Sequence, residues 1–308
     1  MNPLVTIITP VYNRGDLLKK AIKSVLNQTF RNFEYIIVDD FSTENIKAIV
    51  EEFNDQRIIY IKHLENKMIS EAYNTGIKES RGKYIATLET DDIWHPSKLE
   101  KQLKIFDQDK KIGVVYCGMV VKDPNGNILR HRVPKLRGFI LENCLYKNPM
   151  FSLSVFMVKK DTLDKAGYFD KNFDPNTDYD LMFRLAKISK FDFVDEILVD
   201  YLEHDNNLSI MMDVDPFLKA KYNEKIFMKH KDIFMKYPKA ACDKLRNLGI
   251  SYIFCGERQK GRKYFLKAFK ICPQNLKVSR DIIFSFLPIY VFKFLFNLKN
   301  KIKDNSTQ

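Results

Sequence analysis

Three carboxylates, Glu89, Asp91 and Asp92, fall within four residues, directly after the apolar run Tyr84-Ile85-Ala86-Thr87-Leu88. A run of that length and composition suits a buried strand. Carboxylates crowded at the end of a buried strand repel one another and lose hydration, so they need a compensating cation. Oxygen donors of this kind suit hard divalent ions, magnesium or manganese. A plainer reading is open as well: a solvated acidic turn ahead of a helix that starts near Pro96.

The elements that must position these groups follow from periodicity. Residues 5–9 read as a strand closed by Pro10-Val11-Tyr12-Asn13-Arg14-Gly15. Asp16 then caps a helix whose Leu17, Leu18, Ala21, Ile22, Val25 and Leu26 keep the helical period. A strand over 35–38 ends at Asp39-Asp40, and Ser42 or Thr43 caps a helix carrying Ile46, Ile49, Val50 and Phe53. A strand over 58–61, a helix over about 70–80 and the strand over 84–88 complete the alternation. Such alternation predicts a largely parallel sheet with helices on both faces. Ligands of these sheets bind beyond the carboxyl ends of the strands. Three such ends present Pro10 to Asn13, Asp39-Asp40 and the acidic triplet toward one crevice. That convergence favours the metal reading over the acidic turn. Neither Gly-rich phosphate fingerprint is present, so a metal on carboxylates is the remaining way to neutralise a diphosphate.

Further along, a helix over 96–107 precedes a hairpin over 113–121 and 128–133, joined through Asn125-Gly126. A strand over 152–158 leads to a short helix ending at Gly167. Tyr168-Phe169-Asp170 and an amphipathic helix over 177–186 come next, with Asp178 in its first turn. An acidic residue there is also favoured by the helix dipole alone. A last strand over 197–202 runs into Glu203-His204.

The 308 residues carry a net charge of +12, unevenly spread. Residues 217–308 hold 21 Lys and Arg against 6 Asp and Glu, leaving 30 against 33 before them. A near-neutral body with a basic tail points to an anionic partner for the tail alone. The five widely spaced cysteines, with no Cys-x-x-Cys, read as reduced thiols of a cytoplasmic protein without a zinc site. The first ten residues lack a charged leader region, and no uninterrupted apolar run is long enough to span a bilayer.

Taken together, Val5-Thr6-Ile7-Ile8-Thr9-Pro10-Val11-Tyr12-Asn13-Arg14, Ser24-Val25-Leu26-Asn27-Gln28-Thr29-Phe30 and Ile37-Val38-Asp39-Asp40-Phe41-Ser42-Thr43 resemble the family 2 glycosyltransferases. So do Asn74-Thr75-Gly76-Ile77, Gly82-Lys83-Tyr84-Ile85, Asp91-Asp92, and Gly167-Tyr168-Phe169-Asp170 followed by Asp178-Tyr179-Asp180-Leu181. The resemblance spans roughly residues 3–210. It implies the α/β GT-A fold and inverting transfer of a sugar from a nucleotide-diphosphate donor, a UDP-sugar. Thr9, Pro10 and Tyr12 would bind the nucleotide, with Tyr12 stacked on the base. Asp40 would accept a hydrogen bond from the base. Asp91 would face ribose and metal, Asp92 would coordinate Mg2+ or Mn2+, and His204 would reach the metal or diphosphate. Asp178 would be the general base.

Four positions depart from the family pattern. Glu89 stands where Asp is usual, and Phe41 replaces the usual Gly, so that loop is expected to differ. Tyr73 and Leu202 stand where Arg is often found, which removes two cations from the donor side. The Gln-x-x-Arg-Trp signature of processive synthases is missing, and the single Trp is Trp94; transfer of single sugars is expected.

Residues 211–308 are read as a helical region following the transferase domain of residues 1–210. Leu245, Leu248-Gly249, Tyr252, Gly256, Gly261, Tyr264-Phe265, Ala268-Phe269 and Pro273 resemble one tetratricopeptide repeat. The aromatic block over 282–296, followed by Lys299, Lys301 and Lys303, suits a segment lying on an anionic membrane surface. A helix closing over the core of the tail is the alternative. Nucleic acid ranks low, because the aromatics form one apolar block instead of alternating with cations. The sequence thus reads as a cytoplasmic enzyme at the inner face of the membrane, acting on a glycan or lipid-linked acceptor in surface polysaccharide biosynthesis. A non-catalytic sugar-nucleotide scaffold is the second reading.

Overall fold

Strand β1 (Val5–Val11) is the strand on which the sheet is built. It pairs parallel with β2 (Phe33–Asp39) on one side and with β4 (Tyr84–Thr87) on the other. A computed structural model of the chain describes residues 2–174, 177–204, 207 and 215–296. Outside β2 lies β3 (Ile58–Lys62), again parallel. Helices α1 (Gly15–Leu26), α2 (Ile46–Glu51) and α3 (Met68–Glu79) make the crossovers that parallel pairing requires. Two glycines allow this packing. A Cβ at Gly76 would lie 2.5 Å from Ile8, and one at Gly82 would lie 2.4 Å from the Thr6 nitrogen.

Beyond β4 the sheet becomes mixed. β8 (Met157–Lys159) runs antiparallel to β4 and to β6 (Ile112–Lys122). β9 (Lys190–Leu202) runs parallel to β6 and antiparallel to the short β5 (Ile93–Trp94). β7 (Ile128–Arg132) is the hairpin partner of β6. The order is β3-β2-β1-β4-β8-β6-β9-β5. Helices α4 (Lys98–Phe106), α5 (Leu141–Tyr146), α6 (Lys160–Ala166) and α7 (Thr177–Ile188) complete this unit.

Some local expectations change. Asn45, not Ser42 or Thr43, caps α2, its side chain accepting from Ala48 N at 3.2 Å, and Asp16 lies inside the first turn of α1, after its cap. Residues 152–158 are not one strand. The stretch Leu153–Val155 coils into a 3-10 turn, and only then does β8 begin. Its carbonyls are diverted outward: Thr87 Oγ1 donates to Leu153 O at 2.7 Å, and Trp94 Nε1 donates to Ser154 O at 2.9 Å. The final strand starts at Lys190, well before residue 197. The register jumps from Val194 to Ile197 opposite Cys117 and Gly118, so Asp195 and Glu196 bulge out and break the apolar alternation.

The chain divides into two compact units, Met1–Asp205 and Asn206–Gln308. The boundary read at residue 210 lies outside the described residues, as do Lys299, Lys301 and Lys303. The second unit contains helices Pro216–Lys229, Lys231–Lys236, Pro238–Phe254, Arg258–Ile271 and Leu276–Phe284. The repeat-like hairpin forms where Gly249 meets Phe265 and the Gly261 carbonyl, which a Cβ at Gly249 would approach to 2.4 and 3.0 Å. No described helix is long and apolar enough to cross a membrane. All five cysteines are unpaired.

Candidate active site

The acidic loop leaves β4 and turns back into β5, held from outside by the 3-10 turn. Ser154 Oγ accepts from the Glu89 N–H at 2.9 Å. Ser152 Oγ lies 2.8 Å from Glu89 Oε2 and 3.3 Å from Asp92 Oδ2. Asp91 Oδ2 accepts from Arg14 Nη1 at 2.6 Å and lies 3.1 Å from His204 Nε2. Burial, and then the negative charges of Asp91 and Glu89, hold the Asp92 carboxyl well above the usual carboxylate range. Glu89 is pushed up to about 7 by burial and by Asp91.

A second set of groups gathers at the ends of β2 and β3. Asp39 is spent on structure: its carboxylate accepts from Ser42 N at 2.7 Å and from the Tyr60 hydroxyl at 2.6 Å. Asp40 Oδ1 accepts from His63 Nδ1 at 2.7 Å and from Lys67 N at 2.8 Å. With Nδ1 as donor, the other ring nitrogen of His63 faces Thr75 Oγ1 at 2.9 Å. The loops after β1 and β2 are tied together through Asn13, whose Oδ1 accepts from Thr43 N at 2.8 Å. Phe41 keeps a backbone φ of 71°, the left-handed value that glycine adopts freely. The conformation suits a glycine, and the bulky side chain at this position bears the strain.

Asp178 sits in the first turn of α7. Asn148 Nδ2 donates to its Oδ2 at 2.7 Å. Burial pushes the Asp178 carboxyl up, against donation from the Tyr179 backbone N–H and from Asn148. Tyr73 lies on α3 and is fully buried. Its ring stacks on Phe169 at 4.8 Å, and its buried hydroxyl has no hydrogen-bond partner among the described residues. Burial raises the phenol well above its ordinary value, and the charges of Glu89, Asp92, Asp91 and Asp178 raise it further. One buried group thus feels all four carboxylates. Glu89 likewise feels both Asp91 and Asp178.

His204 meets Asp91, with Asp92 next to it in the loop after β4; Asp178 acts on the same buried phenol, and Asp40 follows β2, two strands across the sheet from β4. Tyr12, at 49% exposure, presents an open ring. Pro10 is half-buried beside it. Thr9 is fully buried and accepts from the Tyr35 hydroxyl at 2.9 Å, so its side chain faces the interior and shapes the strand end. Sequence reasoning gave no role to Arg14, His63, Asn148, Ser152 or Ser154. Arg14 lay in plain view inside the first motif. The others have no local signal, because their partners are 23 to 65 residues away.

The donor set suits a hard divalent cation in one respect. Asp92 Oδ1 is buried without a hydrogen-bond partner among the described residues, an expensive state for a carboxylate oxygen. Among the described residues, however, no three His, Cys, Asp or Glu side chains already converge as a coordination cage.

Residues 6–167 match glycosyl transferase family 2. An uncharacterised glycosyltransferase of Methanocaldococcus jannaschii is 35% identical over 215 residues, 67% of this chain and 74% of the relative. One from Rickettsia typhi is 32% identical over 217 residues, 66% of this chain and 65% of its own length. The putative teichuronic acid biosynthesis glycosyltransferase TuaG of Bacillus subtilis is 31% identical over 162 residues, 52% of this chain and 64% of TuaG. Among solved structures, residues 1–349 of S. aureus TarS in complex with UDP-GlcNAc align with a TM-score of 0.58 at 16% identity, over 88% of this chain and 74% of that one. The Pyrobaculum calidifontis mannosyltransferase with GDP-Man and Mn2+ aligns with a TM-score of 0.59 at 16% identity, over 87% and 75%. At this identity the structural likeness establishes the fold, which is the α/β GT-A architecture.

Proposed function

The chain belongs to glycosyl transferase family 2, and from that premise we propose that it moves a single sugar, with inversion, from a nucleotide-diphosphate sugar to a hydroxyl of a glycan or lipid-linked acceptor. A UDP-sugar is the favoured donor and surface polysaccharide the favoured product. The teichuronic acid assignment of TuaG and the UDP-GlcNAc complex of TarS support that choice. The observation that carries the reading is the meeting of Arg14 and His204 on Asp91, next to an Asp92 whose Oδ1 is buried without a hydrogen-bond partner among the described residues.

In this reading Tyr12 covers the base and Asp40, fixed by His63 and Lys67, accepts its N–H. Arg14 and Asp91 orient the ribose and diphosphate end. Asp92, with Asp91 and His204, would hold Mg2+ or Mn2+, which supplies Lewis-acid neutralisation of the leaving diphosphate when bound. Asp178 Oδ2 is committed to Asn148, which fixes the carboxylate to take the acceptor hydroxyl's proton as the new bond forms. A positioned base of this kind is worth roughly 10²–10⁴-fold in rate. Its desolvated, raised pKa makes it a stronger base than a solvated aspartate. Initial rates with a panel of nucleotide sugars, measured as nucleotide release with and without saccharide acceptors, test the proposal. Release that depends on one donor supports it, and no turnover of any donor leaves the scaffold reading instead.

The second unit supports peripheral membrane attachment at the cytoplasmic face. Within the aromatic block, Phe292 is buried against Ile250, Ile253 and Phe265. Ile283, Phe286, Tyr290 and Phe294 are exposed, three or four residues apart. The segment therefore both closes a core and offers an apolar stripe among basic residues, an interfacial arrangement.

A further inference from the structure

We infer that the helical unit carries a binding site of its own for an anionic saccharide, distinct from the transferase centre. A cavity of about 520 Å³ opens between helices Pro216–Lys229, Pro238–Phe254 and Arg258–Ile271. That volume is in the range of small-molecule sites. Lys221, Lys225, Lys260 and Lys267 line it, against the single carboxylate of Glu224.

That carboxylate is already engaged. Glu224 accepts from the hydroxyls of Tyr252 and Tyr264 and from Lys260 Nζ, the last at 2.8 Å. Despite the opposing effect of burial, these donors hold its carboxyl below the ordinary range. Glu224 is thus the buttress of the floor. Lys221 and Lys267 add positive charge to the lining that Glu224 does not offset, and an incoming anion would meet it.

The ring geometry narrows the ligand further. Tyr252 and Tyr264 stack on each other at 5.7 Å with planes 10° apart. Lys260 Nζ sits 4.1 Å from the Tyr252 centroid and Lys267 Nζ 5.0 Å from that of Tyr264. Their faces are therefore occupied, and no parallel slot remains for a nucleobase. Phe217 meets Tyr252 edge-on, and Phe217 and Met228 keep exposed apolar surface at the cavity. One apolar wall facing several ammonium groups matches the C–H face of a pyranose that bears carboxylates or phosphates. The concavity suits a discrete chain better than a flat bilayer, which the separate aromatic stripe serves.

The test measures binding of pentagalacturonate, maltopentaose and phosphatidylglycerol vesicles to the full chain. Wild type is compared with Lys221→Glu/Lys267→Glu, the milder Lys221→Gln/Lys267→Gln, and Phe217→Ala, each checked for unchanged helix content and melting temperature. The site predicts that wild type binds the acidic oligomer and not the neutral one. It predicts affinity at least about tenfold weaker in the charge-reversed variant, as expected when ammonium–anion contacts are removed. The Gln and Phe217→Ala variants should weaken binding in the same direction. Nucleotide-sugar binding should stay unchanged in all of them. Equal affinity for both oligomers, or equal pentagalacturonate binding by wild type and all variants, overturns the proposal. Loss of vesicle binding with saccharide binding intact overturns it too, and assigns the lysines to lipid headgroups.

Discussion

The Arg14 guanidinium lies 2.6 Å from Asp91 Oδ2, bringing a cation from the loop after β1 to the acidic loop after β4. Positions 73 and 202, where arginine is often found, hold Tyr73 and Leu202, so in the proposed reading Arg14 is the cation offered to the donor's phosphates. Arg14→Ala should raise the KM for the donor by about tenfold, the scale of one charged hydrogen bond. Arg14→Lys should recover part of it. Initial-rate kinetics over a donor series check this. A KM equal to wild type in Arg14→Ala would confine the arginine to holding the loop.

Phe41 pays for its left-handed backbone, φ 71°, without burying its ring, which is 47% exposed. A non-glycine residue there costs about 1–2 kcal/mol. Glycine returns roughly 0.5–1 kcal/mol of that through its greater freedom in the unfolded chain. Phe41→Gly should therefore stabilise the protein by up to about 1 kcal/mol, seen as a higher urea midpoint with an unchanged m-value. A lower midpoint would mean that the ring makes contacts worth more than the strain.

The parallel half of the fold was legible because each strand is a short apolar run ending in a polar or acidic signal. Val5–Val11, Phe33–Asp39 and Tyr84–Thr87 all read this way. The second half was less so. Met157–Lys159 is only three residues long, and side chains from β4 and β5, Thr87 and Trp94, claim the carbonyls of the coiled stretch before it. The motif aspartates stood out in the sequence as charges where a buried strand should end. The residues that orient them did not. His63 and Asn148 are ordinary polar residues until the fold carries them to Asp40 and Asp178. Thr9 shows the converse: it lies inside a binding motif, yet its hydroxyl serves Tyr35.

Glu89, raised to about 7, gives a pH signature. The folded state holds a proton that the unfolded chain releases near its ordinary value of 4.5. The associated stability is complete below that value and is lost as pH rises through about 7. Glu89→Gln removes this loss and keeps an acceptor for Ser152. Its advantage over wild type should be small at pH 5 and grow to ~1–3 kcal/mol at pH 8. Thermal unfolding of both proteins across that range checks it. A difference that does not change with pH would contradict the assignment.

The exposed stripe makes its own prediction. Phe286→Glu with Tyr290→Glu should abolish co-flotation with anionic vesicles, since each buried aromatic contributes on the order of 1.5–3 kcal/mol of transfer energy. Secondary structure should be retained, because both side chains are largely exposed in the fold. Undiminished flotation of the double variant would place the membrane contact elsewhere.

Asp178 is the group proposed to take the acceptor's proton. Asp178→Asn keeps the shape and the bond from Asn148 while removing the basic oxygen. The decisive measurement compares sugar transfer and donor binding in this variant and in wild type. Transfer reduced by roughly 10²–10⁴-fold, with the donor Kd unchanged, is the predicted result. Transfer at the wild-type rate would contradict it.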